Sequence, residues 1–195
     1  TLTAADRWGA LKVRWGWGRM AYAVRPGLYA LGSPSPEDPV LVSANYALSV
    51  DHLRSALPGR SAWILVLDTR GVNVWCAAGK GTFGTDELVH RVASTRLSEV
   101  VKHRRLIVPQ LGAVGVDAAD VRRRSGFGVT YGPVEARDLP AFLDAPLKAT
   151  PEMRRKRFPL AERAVLIPVE LVTALKWLLI LAPVAALLSG LGAAD

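Results

Sequence analysis

Through the middle of the chain, short apolar runs alternate with longer amphipathic stretches. Val40-Leu41-Val42 reads as a strand, and 49–57 as a short helix that Pro58-Gly59 ends. The run Ala62-Trp63-Ile64-Leu65-Val66-Leu67 is continuously apolar, the pattern of a strand buried on both faces. Residues 85–103 carry a long helical pattern, with Leu88, Val92, Leu97, Val100 and Val101 toward one face. Thr85 is its expected N-cap, and Asp86 and Glu87 favour the first turn. Leu106-Ile107-Val108 predicts the next strand, 118–124 a shorter helix, and Gly128-Val129-Thr130-Tyr131 a further strand. Strand–helix repetition with short loops predicts an open, mostly parallel, Rossmann-like α/β sheet. Ligands of such sheets sit outside the carboxyl ends of the strands. The loops after Leu67, Val108 and Tyr131 are therefore the places to look.

The pattern changes at both ends. From 164 to 190 almost every residue is apolar, enough for a bilayer core that takes about 20 helical residues. Pro168, Glu170, Lys176 and Pro183 interrupt this run. Glu170 and Lys176 do not share a helical face, so each is expected to pair with further helices or to snorkel. At the other end, Trp8, Trp15 and Trp17 interleave with Gly16, Gly18 and basic residues. That stretch reads as a strap across a domain surface rather than an aromatic–basic nucleic-acid platform. Pro34, Pro36 and Pro39 mark a turn-rich link. The expected organisation is a strap over 1–39, a ligand-binding α/β domain over 40–148, a basic linker over 149–163, and the first transmembrane segment over 164–195. Residue 1 is Thr and the chain stops in Gly-Leu-Gly-Ala-Ala-Asp, so a longer protein is expected.

Charge sharpens the membrane reading. Of a net +8, a concentrated share lies in Arg154-Arg155-Lys156-Arg157, just before the apolar segment. A basic run in that place follows the positive-inside rule. It predicts a cytoplasmic-membrane protein whose α/β domain faces the cytoplasm, and no nucleic-acid partner. The single cysteine excludes an internal disulfide and a thiolate-ligated zinc cluster within one chain.

Two glycine patterns mislead. Gly79-Lys80-Gly81-Thr82-Phe83-Gly84 matches G-x-G-x-x-G, but the preceding strand ends near Asp68, well short of Gly79. A phosphate-binding P-loop fails too, since Val74 stands where its first Gly belongs. The chemistry-bearing stretch is Asn73-Val74-Trp75-Cys76-Ala77-Ala78-Gly79-Lys80. A thiolate is a soft ligand suited to late transition metals. Ala77, Ala78 and Gly79 are expected to provide a flat face on which a planar macrocycle can approach the backbone.

Those eight residues resemble the cap-helix signature of the corrinoid protein of the bacterial mercury-methylation pair. The resemblance extends through Arg25-Pro26-Gly27-Leu28-Tyr29-Ala30, Val40-Leu41-Val42-Ser43-Ala44-Asn45-Tyr46, Leu65-Val66-Leu67-Asp68-Thr69 and Gly81-Thr82-Phe83-Gly84-Thr85. It continues in Val108-Pro109-Gln110-Leu111-Gly112-Ala113, Tyr131-Gly132-Pro133-Val134, Ala149-Thr150-Pro151-Glu152-Met153-Arg154 and Ile167-Pro168-Val169-Glu170-Leu171. Ala47, Val50 and Ala119 depart from the family's Lys, Phe and His, all outside the signature. A more distant resemblance runs to the large subunit of the corrinoid iron–sulfur protein of acetyl-CoA synthesis, whose cluster cysteines this chain lacks.

The resemblance implies a cobalamin or related corrinoid cofactor, held by a cap helix with Cys76 as catalytic residue and cobalt ligand. It implies an α/β domain followed by a transmembrane helical domain. The implied activity is a corrinoid-dependent methyltransferase that moves a methyl group from cobalt to Hg(II), giving methylmercury. The alternative is a membrane-tethered corrinoid methyl carrier of one-carbon metabolism that does not act on mercury. Implied partners are a ferredoxin-like iron–sulfur protein as electron donor and a folate-pathway methyl donor acting through another methyltransferase. The candidate cofactor contacts are Thr69, Asn73, Val74, Trp75, Cys76, Ala77, Ala78, Gly79 and Lys80, joined by Gln110, Gly112, Ala113, Thr130 and Gly132 from the other strand ends. Asn73 is expected to cap the helix, and Gly112 and Gly132 to let the backbone approach the ligand. One reading is independent of family. Many cobalamin proteins supply a lower-face His from a D-x-H-x-x-G loop, and His52, His90 and His103 all lie outside that pattern. His90 and His103 read instead as solvated side chains of the long helix.

Overall fold

The computed structural model describes residues 2–18 and 21–192. Arg19 and Met20 of the expected strap, and 193–195 of the expected membrane segment, lie outside the described residues. The chain divides into two compact units, one of Thr1–Asp6 with Met20–Lys156, the other of Arg7–Arg19 with Arg157–Asp195. A first helix, α1 (Ala4–Arg14), runs across the boundary between these segments.

The larger unit is a mixed α/β structure. Its elements are β1 (Gly27–Leu31), β2 (Val40–Ala44), α2 (Ala47–Ala56), β3 (Ala62–Leu67), α3 (Val74–Gly79), α4 (Thr85–Ser94), α5 (Leu97–Val100), β4 (Arg105–Val108), α6 (Ala118–Ser125), β5 (Gly128–Tyr131) and α7 (Leu139–Asp144). The five strands lie in the order β1-β3-β2-β4-β5, parallel except for β1, which pairs antiparallel with β3. From β2 the chain goes to one neighbour, β3, and then crosses back to β4 on the other side. The sheet thus switches direction between β2 and β4, and a crevice at their carboxyl ends is where such sheets take ligands.

As its uniform apolarity predicts, β3 is buried on both faces. Leu65 and Leu67 join Phe83, Leu88, Val92, Leu97, Leu106 and Phe127 in one core, while Ile64 and Val66 pack on the opposite side with Val50. Each fully buried side chain of this kind contributes about 1.5–3 kcal/mol. β1 is new relative to the sequence reading, which left it inside the strap. Asp6 reaches Arg54 of α2, which also holds Asp51, so the start of the chain is tied to the domain.

The helix expected over 85–103 is two. α4 stops at Ser94, Arg96 adopts a left-handed conformation at φ 48°, and α5 restarts at Leu97. Leu88 and Val92 are four apart and Leu97 and Val101 are four apart, but Val92 and Leu97 are five apart. One continuous helix would rotate the second pair away from the first; the break lets all four be buried. The expected N-cap also moves. Gly84 occupies that position, and Thr85 instead uses its hydroxyl to accept from the Asp117 amide at 2.8 Å. His103 lies beyond α5, half-buried, with both ring nitrogens engaged. Its Nε2–H donates to the Asp38 carbonyl at 2.9 Å while Nδ1 accepts from the Arg105 amide at 3.2 Å. His90 is exposed.

The second unit contains α8 (Leu160–Ala164) and α9 (Ile167–Gly192). The stretch Glu162–Ser189 is long and apolar enough to cross a membrane, and none of its best window is buried by protein. Lys176 and Glu170 are exposed and make no ion pair with each other. The basic linker is partly spoken for by the larger unit. Arg154 donates to Gln110 at 2.8 Å, Lys156 pairs with Glu135, and the Val134 amide donates to the Met153 carbonyl at 2.8 Å.

Gly112 is a packing glycine. A Cβ built there would lie 2.4 Å from Cε1 of Phe83, which is fully buried. Gly112→Val should therefore destabilise the domain by about 1–3 kcal/mol through overpacking. Thermal unfolding followed by near-ultraviolet circular dichroism checks this, and an unchanged melting temperature would show that the Phe83 ring has room to move.

Candidate functional site

α3 is short and set across the carboxyl edge of the sheet, packed on β2 and on the 3-10 turn Gln110–Gly112 after β4. It therefore lies over the switch point. Asn73 caps it, its side-chain oxygen accepting from the Cys76 amide at 3.0 Å. At the other end, the Ala77 carbonyl accepts from the amides of Lys80, Thr82 and Phe83. Both ends of a six-residue helix are thus satisfied, which it needs because so short a helix is not stable by itself.

The helix has two faces. Ala77 and Ala78 are buried, with Val74 half-buried beside them, and pack into the core. Trp75, Cys76, Gly79 and Lys80 are exposed on the other face. At 100° per residue Gly79 projects between Trp75 and Cys76, and a Cβ at Gly79 would meet nothing within 4 Å. This corrects the flat face expected from Ala77, Ala78 and Gly79. The two alanines are small because the helix must dock closely: a Cβ on Gly115 would stand 3.4 Å from Cα of Ala78. Only Gly79 of the three offers open backbone.

The loop that delivers α3 is organised by Asn45, which directly follows β2. Its Oδ1 accepts from the Thr69 amide at 3.1 Å and the Gly71 amide at 2.9 Å, and the Thr69 hydroxyl lies 2.8 Å away. The same hydroxyl is 2.6 Å from the Val72 carbonyl. Arg70 and Gly71 take positive φ, giving the sharp turn. Thr69 is fully buried, so in this conformation it offers a ligand no surface; it shapes the loop. Asn45 falls within the family resemblance and is not among the expected site residues. An amide directly after a buried apolar strand was the available signal.

The remaining predicted contacts are spread along the edge. Gln110 and Ala113 flank the turn under α3, and the Gln110 side chain accepts from Arg154. Thr130 lies within β5, paired with Ile107. Gly132 is buried, and its amide donates to the Val108 carbonyl at 2.9 Å. A Cβ there would stand 3.1 Å from Ile107, so Gly132, like Gly112, has an internal packing reason. The structure brings α3, the helix that carries Cys76, against the Gln110–Gly112 turn, with Thr130 and Gly132 one strand further along. Near this turn the Tyr131 hydroxyl donates to the Val116 carbonyl at 2.6 Å. Burial first, and the Asp117 charge second, hold Tyr131 above its ordinary pKa, so it remains a neutral donor. The misleading glycine pattern is also resolved. The Thr85 amide donates to the Gly115 carbonyl at 3.1 Å, and a Cβ at Gly115 would collide with the Phe83 carbonyl at 2.2 Å. Of that pattern, Gly84 meets Gly115 where two backbone segments come together, while Gly79 and Gly81 meet nothing within 4 Å.

An open, mostly parallel α/β sheet with a small helix over its switch point, presenting a thiol outward, is a fold of the doubly wound class. Its sequence relatives are specific. The profile of the CO dehydrogenase/acetyl-CoA synthase delta subunit family, CdhD, matches residues 17–143, and the chain belongs to that family. The acetyl-CoA decarbonylase/synthase complex subunit gamma of Archaeoglobus fulgidus is 32% identical over 128 residues, 65% of this chain and 27% of that protein. The same subunit of Methanopyrus kandleri is 32% identical over 123 residues, covering 62% and 26%. That of Methanosarcina acetivorans is 28% identical over 130 residues, covering 65% and 27%. The chain therefore spans about a quarter of the length of these curated relatives. The family relation agrees with a corrinoid-protein ancestry, and α8 and α9 lie outside the family match.

Asn73→Ala should cost about 1 kcal/mol by removing the cap. Amide exchange at Cys76 should quicken, and Asn73→Ser should restore much of the protection. Equal exchange in parent and Ala variant would show that α3 is held by Ala77 and Ala78 alone.

Proposed function

We propose that the α/β unit binds a corrinoid at the outer face of α3, with Cys76 as the cobalt ligand, and works as a membrane-tethered methyl carrier. The observation that carries this is the division of α3: two alanines spent on docking, and a thiol beside an open glycine left outward over the β2/β4 switch point. The donor set fits the group. Cys76 is an exposed soft ligand, and among the described residues no cluster of three His, Cys, Asp or Glu side chains competes for a metal. Membership of the CdhD family and the acetyl-CoA decarbonylase/synthase complexes named for its relatives support the same reading.

A bound corrinoid supplies reversible carriage of a methyl group between donor and acceptor proteins. The chain's own part is positional. Asn73 fixes the first turn of α3 and with it the Cα of Cys76; Ala77 and Ala78 anchor the helix; Gly79 leaves room beside the thiol. Trp75 and Lys80 flank this opening, the indole able to exclude water and the lysine placing its own positive charge at the rim.

Cys76→Ala should abolish methyl transfer and change the visible spectrum of the cobalt, even where some corrinoid stays bound. A spectrum identical to the parent's would remove Cys76 from the coordination shell.

A second reading is favoured by two particular observations. The eight-residue signature from Asn73 to Lys80 resembles that of the mercury-methylation family, and α9 is an apolar helix beyond the residues shared with CdhD. In this reading the methyl acceptor is Hg(II) and a ferredoxin-like iron–sulfur protein supplies electrons. Incubating the full-length protein with that partner, a methyl donor and Hg(II) separates the two. Methylmercury formation lost in Cys76→Ala establishes the second reading. Methyl turnover to other acceptors without methylmercury leaves the carrier alone.

A further inference from the structure

The Trp- and Arg-rich start of the chain forms α1, whose faces differ sharply. Trp8, Leu11 and Trp15 fall at successive helical turns and are 58%, 45% and 49% exposed. Basic residues flank this stripe, Arg7 and Arg14 on one side and Lys12 on the other, all exposed. Lys12 Nζ lies 5.6 Å from the Trp8 ring centroid. The opposite face is small or buried, with Gly9, Ala10 and Val13. The turn that follows exposes Trp17 at 72%. Indole and leucine side chains are not left in water in such a row without a partner.

The same compact unit carries the feature that bears on that partner. It holds α9, which is apolar all round and about 39 Å long, against a hydrocarbon core of about 30 Å. A Cβ at Gly16 would lie 3.7 Å from Val169, in the first turn of α9. The turn carrying Trp15 and Trp17 on either side of Gly16 therefore stands beside the start of the span, where charged Glu170 follows and the uninterrupted apolar run from Trp177 has not begun. Trp is enriched at that level of a bilayer because its ring is apolar and its N–H polar. Cations flanking an aromatic stripe extend to anionic headgroups while their stems stay apolar.

We propose that α1 and the turn at 15–18 lie flat in the headgroup boundary of the bilayer, the stripe Trp8-Leu11-Trp15 inserted and Arg7, Lys12 and Arg14 on anionic lipid. This rests on α9 being a membrane span, and the test separates the two. The full-length protein is reconstituted in vesicles of phosphatidylcholine and phosphatidylglycerol carrying brominated acyl chains, and tryptophan emission is read. One variant, Trp177→Phe, keeps the α1 tryptophans. The other, with Trp8, Trp15 and Trp17 all changed to Phe, keeps Trp177. Trp63 and Trp75 are a common background. Trp177→Phe should lose emission to bromine near the headgroup end of the chains more than near the methyl end, and lose more when phosphatidylglycerol is present. If it is unquenched while the triple variant is quenched, α9 spans and the interfacial placement of α1 is overturned, leaving its stripe to a protein or nucleic-acid partner. If neither is quenched, the span falls and the proposal with it.

Discussion

One buried side-chain amide holds the candidate site in place. Asn45, at the end of β2, accepts from two backbone amides of the loop after β3 and lies against the Thr69 hydroxyl. A buried acceptor with its donors removed costs about 1–3 kcal/mol, so the loop is held by more than its turn geometry. Its consequence is directional. Fixing residues 69–71 against the end of the neighbouring strand sends the chain back across the sheet, and α3 comes to rest over the gap between β2 and β4. Without that constraint the helix bearing Cys76 would start from a free loop, and the thiol would have no fixed place relative to the sheet.

From there the packing of small residues takes over. Phe83 enters the core from the loop after α3, and its ring and carbonyl need Gly112 and Gly115 opposite. Ala77 and Ala78 let the helix settle on the same region. The residues that look most like a ligand cradle in the sequence are thus mostly a backbone-to-backbone joint. The exception is Gly79. The fold places no demand for a missing side chain there, and helical backbone ordinarily prefers alanine by about 0.5–1 kcal/mol. That leaves Gly79 beside Cys76 on the outward face of α3, which Trp75 and Lys80 share.

Much of this was legible from pattern alone, for reasons tied to period. Continuous apolarity marks β3, while the capping role of Asn73 comes with the cap-helix resemblance and is borne out by its bond to the Cys76 amide. Residues 85–103 read as one long element because apolar residues continue on either side of the five-residue step from Val92 to Leu97, where the structure breaks the helix. β1 was hidden because its short sequence, Gly-Leu-Tyr-Ala-Leu, follows a Trp- and Arg-rich stretch of different character. Thr69, Gly112 and Gly132 could be placed at strand ends but not assigned a direction. Whether a residue at a strand end faces ligand or core depends on which neighbour arrives from far along the chain, here Asn45, Phe83 and Ile107. Such contacts leave no local trace.

The antiparallel strand β1 has a bearing on how the domain survives outside its native setting. β3 is a six-residue apolar segment with no charge and no proline, the composition that stacks into intermolecular sheets when its edge is bare. β1 occupies that edge over the whole register from Gly27–Val66 to Leu31–Ala62. It is itself a poor template for further growth, being short and bounded by Pro26 and by Gly32 at positive φ. The segment ahead of β2 therefore acts as a built-in guard against aggregation. A fragment begun at Val40 would keep every parallel strand and the whole of α3, yet expose the most amyloid-like stretch of the sheet to its own copies.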